Sequence, residues 1–148
     1  MEPQIISNSI SSPPLGQAVN ATITVLSPPN SDTLTVELAR YEVIVRDVTS
    51  VVIYLRQFPD LFPALLTACA AARQAFGEEA ELDLRIHRDV EIVDEYVLLN
   101  VRLSDYGHGN YEKIDSLGDK VAEQTVESLG YFLLTTDFAT PGQNQNGV

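Results

Sequence analysis

Two stretches of strict alternation, separated by eight residues, constrain this chain more than any other feature in it. Leu82, Leu84 and Ile86 point one way while Glu81, Asp83, Arg85 and His87 point the other; then Val97, Leu99, Val101 and Leu103 oppose Tyr96, Leu98, Asn100 and Arg102. A period of two is the signature of a strand with one face in a core and one face wet. Residues 88–95 read as a longer hairpin loop or wide turn, so the two strands are predicted to pair antiparallel.

The flanking segments read as helices. Upstream, Leu34, Leu38, Tyr41, Val45, Val48, Val52 and Leu55 recur at spacings of 4, 3, 4, 3, 4 and 3, a heptad seam. Ser31, Asp32 and Thr33 supply N-cap candidates and Pro59 forces a stop near Phe58, which predicts one helix over residues 34–58. The β-branched run Val43, Ile44, Val45, Val48, Val51, Val52 and Ile53 suits a competing version, a strand followed by a shorter helix from Thr49 or Ser50. A second helix is predicted over 60–76. Asp60 caps it, Pro63 sits in its first turn, Leu61, Leu65, Cys69, Ala72 and Phe76 form its stripe, and Gly77 ends it. Downstream, Ile114, Leu117, Val121, Thr125 and Leu129 predict a helix over 111–129, and residues 131–138 a last strand.

The unit is therefore an α+β domain in two layers. Its helices pack on one face of a three- or four-stranded, mainly antiparallel sheet, in the order α-α-β-β-α-β; the strand-plus-helix version would give a ferredoxin-like βαββαβ order instead. The domain is expected at residues 33–138. Residues 1–32 carry five of the eight prolines and much Ser and Asn, and read as a flexible arm, with 19–26 alternating well enough to be an added strand. Residues 139–148 read as a disordered tail.

Composition narrows the partners. Of 148 residues, 21 are acidic and 9 basic, a net charge of -12. Such a surface repels phosphate backbones and anionic headgroups, so neither direct nucleic-acid binding nor membrane association is expected, and a basic protein partner is the easier fit. The single Cys69 cannot form an internal disulfide, and the N-terminus shows no basic, apolar leader, so a cytoplasmic setting is expected.

Three groups of residues bear on chemistry. His87, Asp89 and Glu91 fall at alternate positions and would share one side of a continuing strand, where imidazole and carboxylates can ligate a divalent metal; the competing reading makes them the polar face and loop of a hairpin. His108 lies between Gly107 and Gly109, where Asp105 or Asp115 would raise its basicity for general-base work, unless the segment is simply a tight turn with Asn110 as N-cap. Finally, Glu78, Glu79, Glu81, Asp83, Asp89, Glu91, Asp94 and Glu95 face only Arg85 and Arg88 between residues 78 and 95, half of the net charge of the chain. That crowding reads either as an electrostatic docking face or as a solvated surface. Asp137 is positioned to pair with Arg85 or Arg102 across the sheet. Signatures of serine hydrolases, nucleotide-binding loops, zinc metalloproteases and paired-cysteine zinc sites are missing, and no cofactor is implied.

The strings Val-Val-Ile-Tyr-Leu-Arg-Gln-Phe-Pro-Asp-Leu at 51–61, Glu-Tyr-Val-Leu-Leu-Asn-Val-Arg at 95–102 and Leu-Leu-Thr-Thr-Asp-Phe at 133–138 resemble a family of small uncharacterised bacterial proteins. The resemblance implies a stand-alone intracellular domain with a variable N-terminal arm, and no activity. The leading functional expectation is a non-enzymatic interaction module, antitoxin-like or inhibitor-like, that meets a basic protein and dimerises through the heptad seam. The alternatives are a small metal-dependent or acid-base enzyme built on His87, Asp89, His108 and Asp115, and a structural homo-oligomer.

Overall fold

A computed structural model describes residues 29–92 and 94–142. The strand considered at 19–26, most of the expected arm and the tail from residue 143 lie outside the described residues. Helix α1 (Ser31–Ala39) is capped by the Asn30 side chain, which accepts from the Thr33 N–H at 2.8 Å. It begins inside the stretch read as arm, and Pro29 ahead of it is buried.

The single helix expected at 34–58 is not formed. Strand β1 (Val43–Val45) interrupts it, and α2 (Val48–Gln57) follows. The cause is local backbone: Glu42 at φ 54° and Asp47 at φ 58° adopt left-handed conformations that no α-helix tolerates, and β-branched residues between them pair in a sheet. Asp47 then caps α2, accepting from the Ser50 N–H and hydroxyl. Leu34, Leu38, Val52 and Leu55 of the seam are nonetheless buried in the chain's own core, with Tyr41, Val45 and Val48 packed against it. The apolar spacing is therefore spent within the domain, and the seam no longer argues for a dimer.

Helix α3 (Leu61–Phe76) and a 3-10 turn (Gly77–Glu79) lead into β2 (Glu81–Asp89) and β3 (Asp94–Arg102); α4 (Asn110–Gln124) and β4 (Phe132–Thr135) are the last of the described elements. The sheet runs in the order β1-β2-β3-β4. The expected α+β class holds, but the sheet is mixed. Only β2 and β3 pair antiparallel, whereas β1 runs parallel to β2 and β4 parallel to β3. Each outer strand is reached through a helical crossover, α2–α3 on one side and α4 on the other, and a crossover delivers a parallel neighbour. The parallel partners are adjacent, without the intervening strand of a ferredoxin-like split unit.

Leu82, Leu84, Val97, Leu99, Val101, Phe132 and Leu134 form the core face, and the buried residues of all four helices join them in one cluster. Each fully buried Leu or Phe contributes roughly 1.5–3 kcal/mol relative to exposure. Helix α4 approaches β4 at backbone distance: a Cβ on Gly118 would lie 2.6 Å from the Leu134 carbonyl oxygen. Among the described residues no helix is long and apolar enough to cross a membrane. The second face of the sheet carries no helix among the described residues, and it holds the charged groups.

Candidate functional site

At one end of that second face, Arg102 is 0% exposed and gathers three carboxylates. Its Nη1 donates to Glu81 at 2.7 Å and to Asp83 at 3.1 Å, and its Nη2 and Nε fork onto Asp137 at 2.9 and 3.2 Å. Asp83, equally buried, also accepts from Arg46 Nε at 2.8 Å and Arg85 Nε at 3.0 Å. The fork from Asp137 and the neighbouring carboxylates hold the Arg102 guanidinium above its ordinary range against the opposing effect of burial. Burial acts to raise Asp137, but the Arg102 hydrogen bonds, the Ala139 N–H and the Arg102 charge outweigh it and leave the carboxyl below its usual value.

The expected Asp137–Arg102 pair thus forms, while Arg85 serves Asp83. The segments on either side are tied in around this network. Glu81 also accepts from the Gly142 N–H, and the Tyr106 hydroxyl accepts from the Leu103 N–H and donates to the Ala139 carbonyl. Glu81 and Asp83, assigned from the sequence to an acidic docking face, are therefore occupied by arginine; Asp83 is inaccessible to a partner. The reason is tertiary, since Arg46 and Arg102 come from outside the acidic stretch.

The structure does not bring the two histidines together. His87 lies against Tyr96 at 4.8 Å between centroids with the rings tilted by 30°, and Tyr96 meets Tyr131 edge-on at 5.2 Å. His87 pairs with Tyr96 six residues before Arg102, and His108 follows Arg102 by six. Asp105, which His108 reaches, lines a cleft with Ala80 just ahead of β2, whereas His87 lies near the opposite end of that strand, about 23 Å along it. The His108 imidazole is exposed and reaches Asp105 at 3.8 Å, while Asp115 is exposed on α4. Strand β2 ends at Asp89, whose carboxylate accepts from the Glu91 N–H, so Glu91 turns away from the alternation that would have aligned it with His87. Gly109 at φ 83°, rather than Asn110, occupies the cap of α4. Among the described residues no cluster of three or more His, Cys, Asp or Glu is placed to hold a metal ion.

The acidic stretch divides between the two ends of β2. Glu78 and Glu79 lie in the turn ahead of it, Glu79 lining a cleft of ≈ 230 Å³ with Phe76, Leu103, Asp105 and Asn110. Asp89, Glu91, Asp94 and Glu95 lie at the hairpin, about 27 Å along the strand. There the ribbon projects: β2 and β3 are nine residues each, but β1 reaches only Leu82–Leu84 and β4 only Val97–Asn100. Its base is pinned by Tyr54, whose hydroxyl donates to the Glu95 carbonyl at 3.2 Å and accepts from the Tyr131 N–H at 3.0 Å.

At the tip Asp89 and Asp94 stand directly opposite one another, a like-charge pairing that costs stability in a sheet. Arg88 engages Glu95 at 2.7 Å. Val90 and Ile92 are 88% and 68% exposed among these carboxylates, and a hollow of ≈ 380 Å³ is lined by Arg88, Asp89, Val90, Asp94 and Glu95. Sequence reasoning missed the two aliphatic side chains; the available signal was that both fall between the alternating stretches, where a loop offers no core. Compared with protein-family models, curated proteins and solved structures, the chain has no match in any of the three.

Proposed function

We propose that this chain is a protein-interaction module whose projecting β2–β3 hairpin docks on a basic partner, in the manner of an antitoxin-like or inhibitor-like protein. The observation that carries the reading is the tip itself, with Val90 and Ile92 exposed at the centre of Asp89, Glu91, Asp94 and Glu95. An apolar centre within a charged rim is the anatomy of a docking patch, and the carboxylates steer a cationic surface toward it. The opposed Asp89 and Asp94 support it further, because a cation from a partner would relieve their repulsion. Glu78 and Glu79, at the far end of the strand, are not part of this surface. A cytoplasmic setting for the module is supported by a single, buried, unpaired Cys69.

Pull-downs with the wild type, with Asp89→Asn/Glu91→Gln/Asp94→Asn/Glu95→Gln, and with Val90→Ser/Ile92→Ser test the reading. The wild type should retain a basic protein at about 0.05 M salt and lose it near 0.5 M, and both variants should fail to retain it. Identical recovery by all three proteins would refute the hairpin as the docking element.

A further inference from the structure

The chain has two lysines, Lys113 and Lys120, and both stand on α4 seven residues apart, where two helical turns bring them to one side. They line one cleft of ≈ 310 Å³ together with Ala75, Ser116, Leu117 and a single acid, Glu112. The cleft continues into a smaller hollow that shares Leu117 and Lys120 and adds Ala68, Ala71 and Val121. Its floor is thus the small-residue side of α3 against α4. Among the described residues neither lysine has a carboxylate within ion-pair distance, whereas Arg46, Arg85, Arg88 and Arg102 each do.

We propose that this cleft receives the hairpin tip of a second copy of the chain. Asp89 and Glu91 of one copy meet Lys113 and Lys120 of the next, and Val90 and Ile92 enter the apolar floor. The inference rests on the reading of the tip as a docking element and names a partner for it. Charge complementarity selects the occupant, since the densest acidic, apolar-centred projection and the lysine-rimmed apolar cleft belong to the same molecule. One copy cannot satisfy itself. The tip lies at the start of β3, while the cleft opens beside the first turns of α4, beyond the end of β3. The contact joins two different surfaces, so it closes as a reciprocal two-fold dimer when each tip fills the other copy's cleft, and otherwise as a ring or an open chain of subunits. Two bodies of charge -12 repel at low ionic strength, but at about 0.15 M salt the screening length is about 8 Å, which suppresses the long-range repulsion and spares contacts under 4 Å.

Sedimentation velocity on the full chain at about 0.15 M salt, across dilution, tests the proposal. The wild type should associate reversibly. Lys113→Glu/Lys120→Glu alone and Asp89→Lys/Glu91→Lys alone should each associate at least about tenfold more weakly, and an equimolar mixture of the two should associate again, because each supplies the complement of the other. Recovery in the mixture also shows that both variants are folded. A wild type that stays monomeric over the whole range, or lysine variants that associate as the wild type does, would overturn the proposal. If tip reversal abolishes retention of a basic protein while the lysine variants leave sedimentation unchanged, self-assembly alone fails; if tip reversal changes neither, the docking role of the hairpin fails with it.

Discussion

Replacing Arg102 with Met removes the one group among the described residues that touches Glu81, Asp83 and Asp137 together, while keeping an unbranched side chain of comparable length. The guanidinium makes charge-assisted hydrogen bonds to all three carboxylates, each of a kind worth about 1.5–3 kcal/mol. Those gains are offset in the native protein by the desolvation of a fully buried cation, so their sum overstates what is lost. Removing one partner of a buried pair leaves the other uncompensated, and costs about 3–5 kcal/mol. Here Asp83 keeps Arg46 and Arg85, and Asp137 is partly exposed, so the lower half of that range applies, about 3–4 kcal/mol. With a urea slope of about 1–3 kcal/mol/M, the midpoint of unfolding should fall by about 2 M. Arg102→Lys keeps the charge but not the fork, and should fall by less. Urea titration followed by circular dichroism measures both. A shift below about 0.5 M for Arg102→Met would show that the network contributes little and that its ordering of the 136–142 segment needs another cause.

The depressed Asp137 carboxyl makes stability pH-dependent. Its contribution is complete above the unfolded value near 3.9 and is lost as pH falls through the lower folded value, so the difference in urea midpoint between wild type and Asp137→Asn should shrink on acidification from about pH 6 to about pH 3; a constant difference would refute the linkage. Gly118→Ala should destabilise by about 1–3 kcal/mol, although alanine is ordinarily the better helix former, because its Cβ meets the Leu134 carbonyl; a raised melting temperature would contradict the close approach of α4 to β4. Burial pushes the Cys69 thiol up to about 12, so labelling by a thiol reagent at pH 8 should proceed only at the rate of chain opening and accelerate with urea; a rapid native phase would show the core to be accessible.

The alternating residues of β2 and β3 placed both strands and their antiparallel pairing correctly, because a half-buried hairpin writes its faces directly into a period of two. Helix α3 was legible for similar reasons, with its stripe, its early proline and Gly77 beyond its end. The stretch 34–58 was misread because two short helices flanking a three-residue strand kept the apolar residues at heptad spacing, and left-handed backbone at Glu42 and Asp47 has no strong composition signal. The mixed sheet was missed because the strand-plus-helix version was set aside for the long helix, and because the α4 crossover, which delivers β4 parallel to β3, was not used to assign a direction. At the candidate site, the carboxylates of the hairpin were visible as a charge cluster, but the withdrawal of Glu81 and Asp83 was not. It depends on Arg46, just beyond β1, and Arg102, on β3, arriving from elsewhere in the chain. His87 lies near one end of β2 and the His108–Asp105 pair beside the other, an arrangement that local patterns around either residue do not carry.

The sequential strand order has a kinetic consequence. Among the described residues every strand lies beside the strand that precedes or follows it in the chain, so no pairing there requires a later segment to insert between two earlier ones. The antiparallel hairpin closes the shortest loop and can form first; β4 then joins β3 across α4, and β1 joins β2 across α2 and α3, in either order. Each addition pays its loop-closure entropy once, against an edge already in place. Such a chain should collapse through independent, non-obstructing steps, with its slowest barrier set by the longer α2–α3 crossover rather than by rearrangement of the sheet.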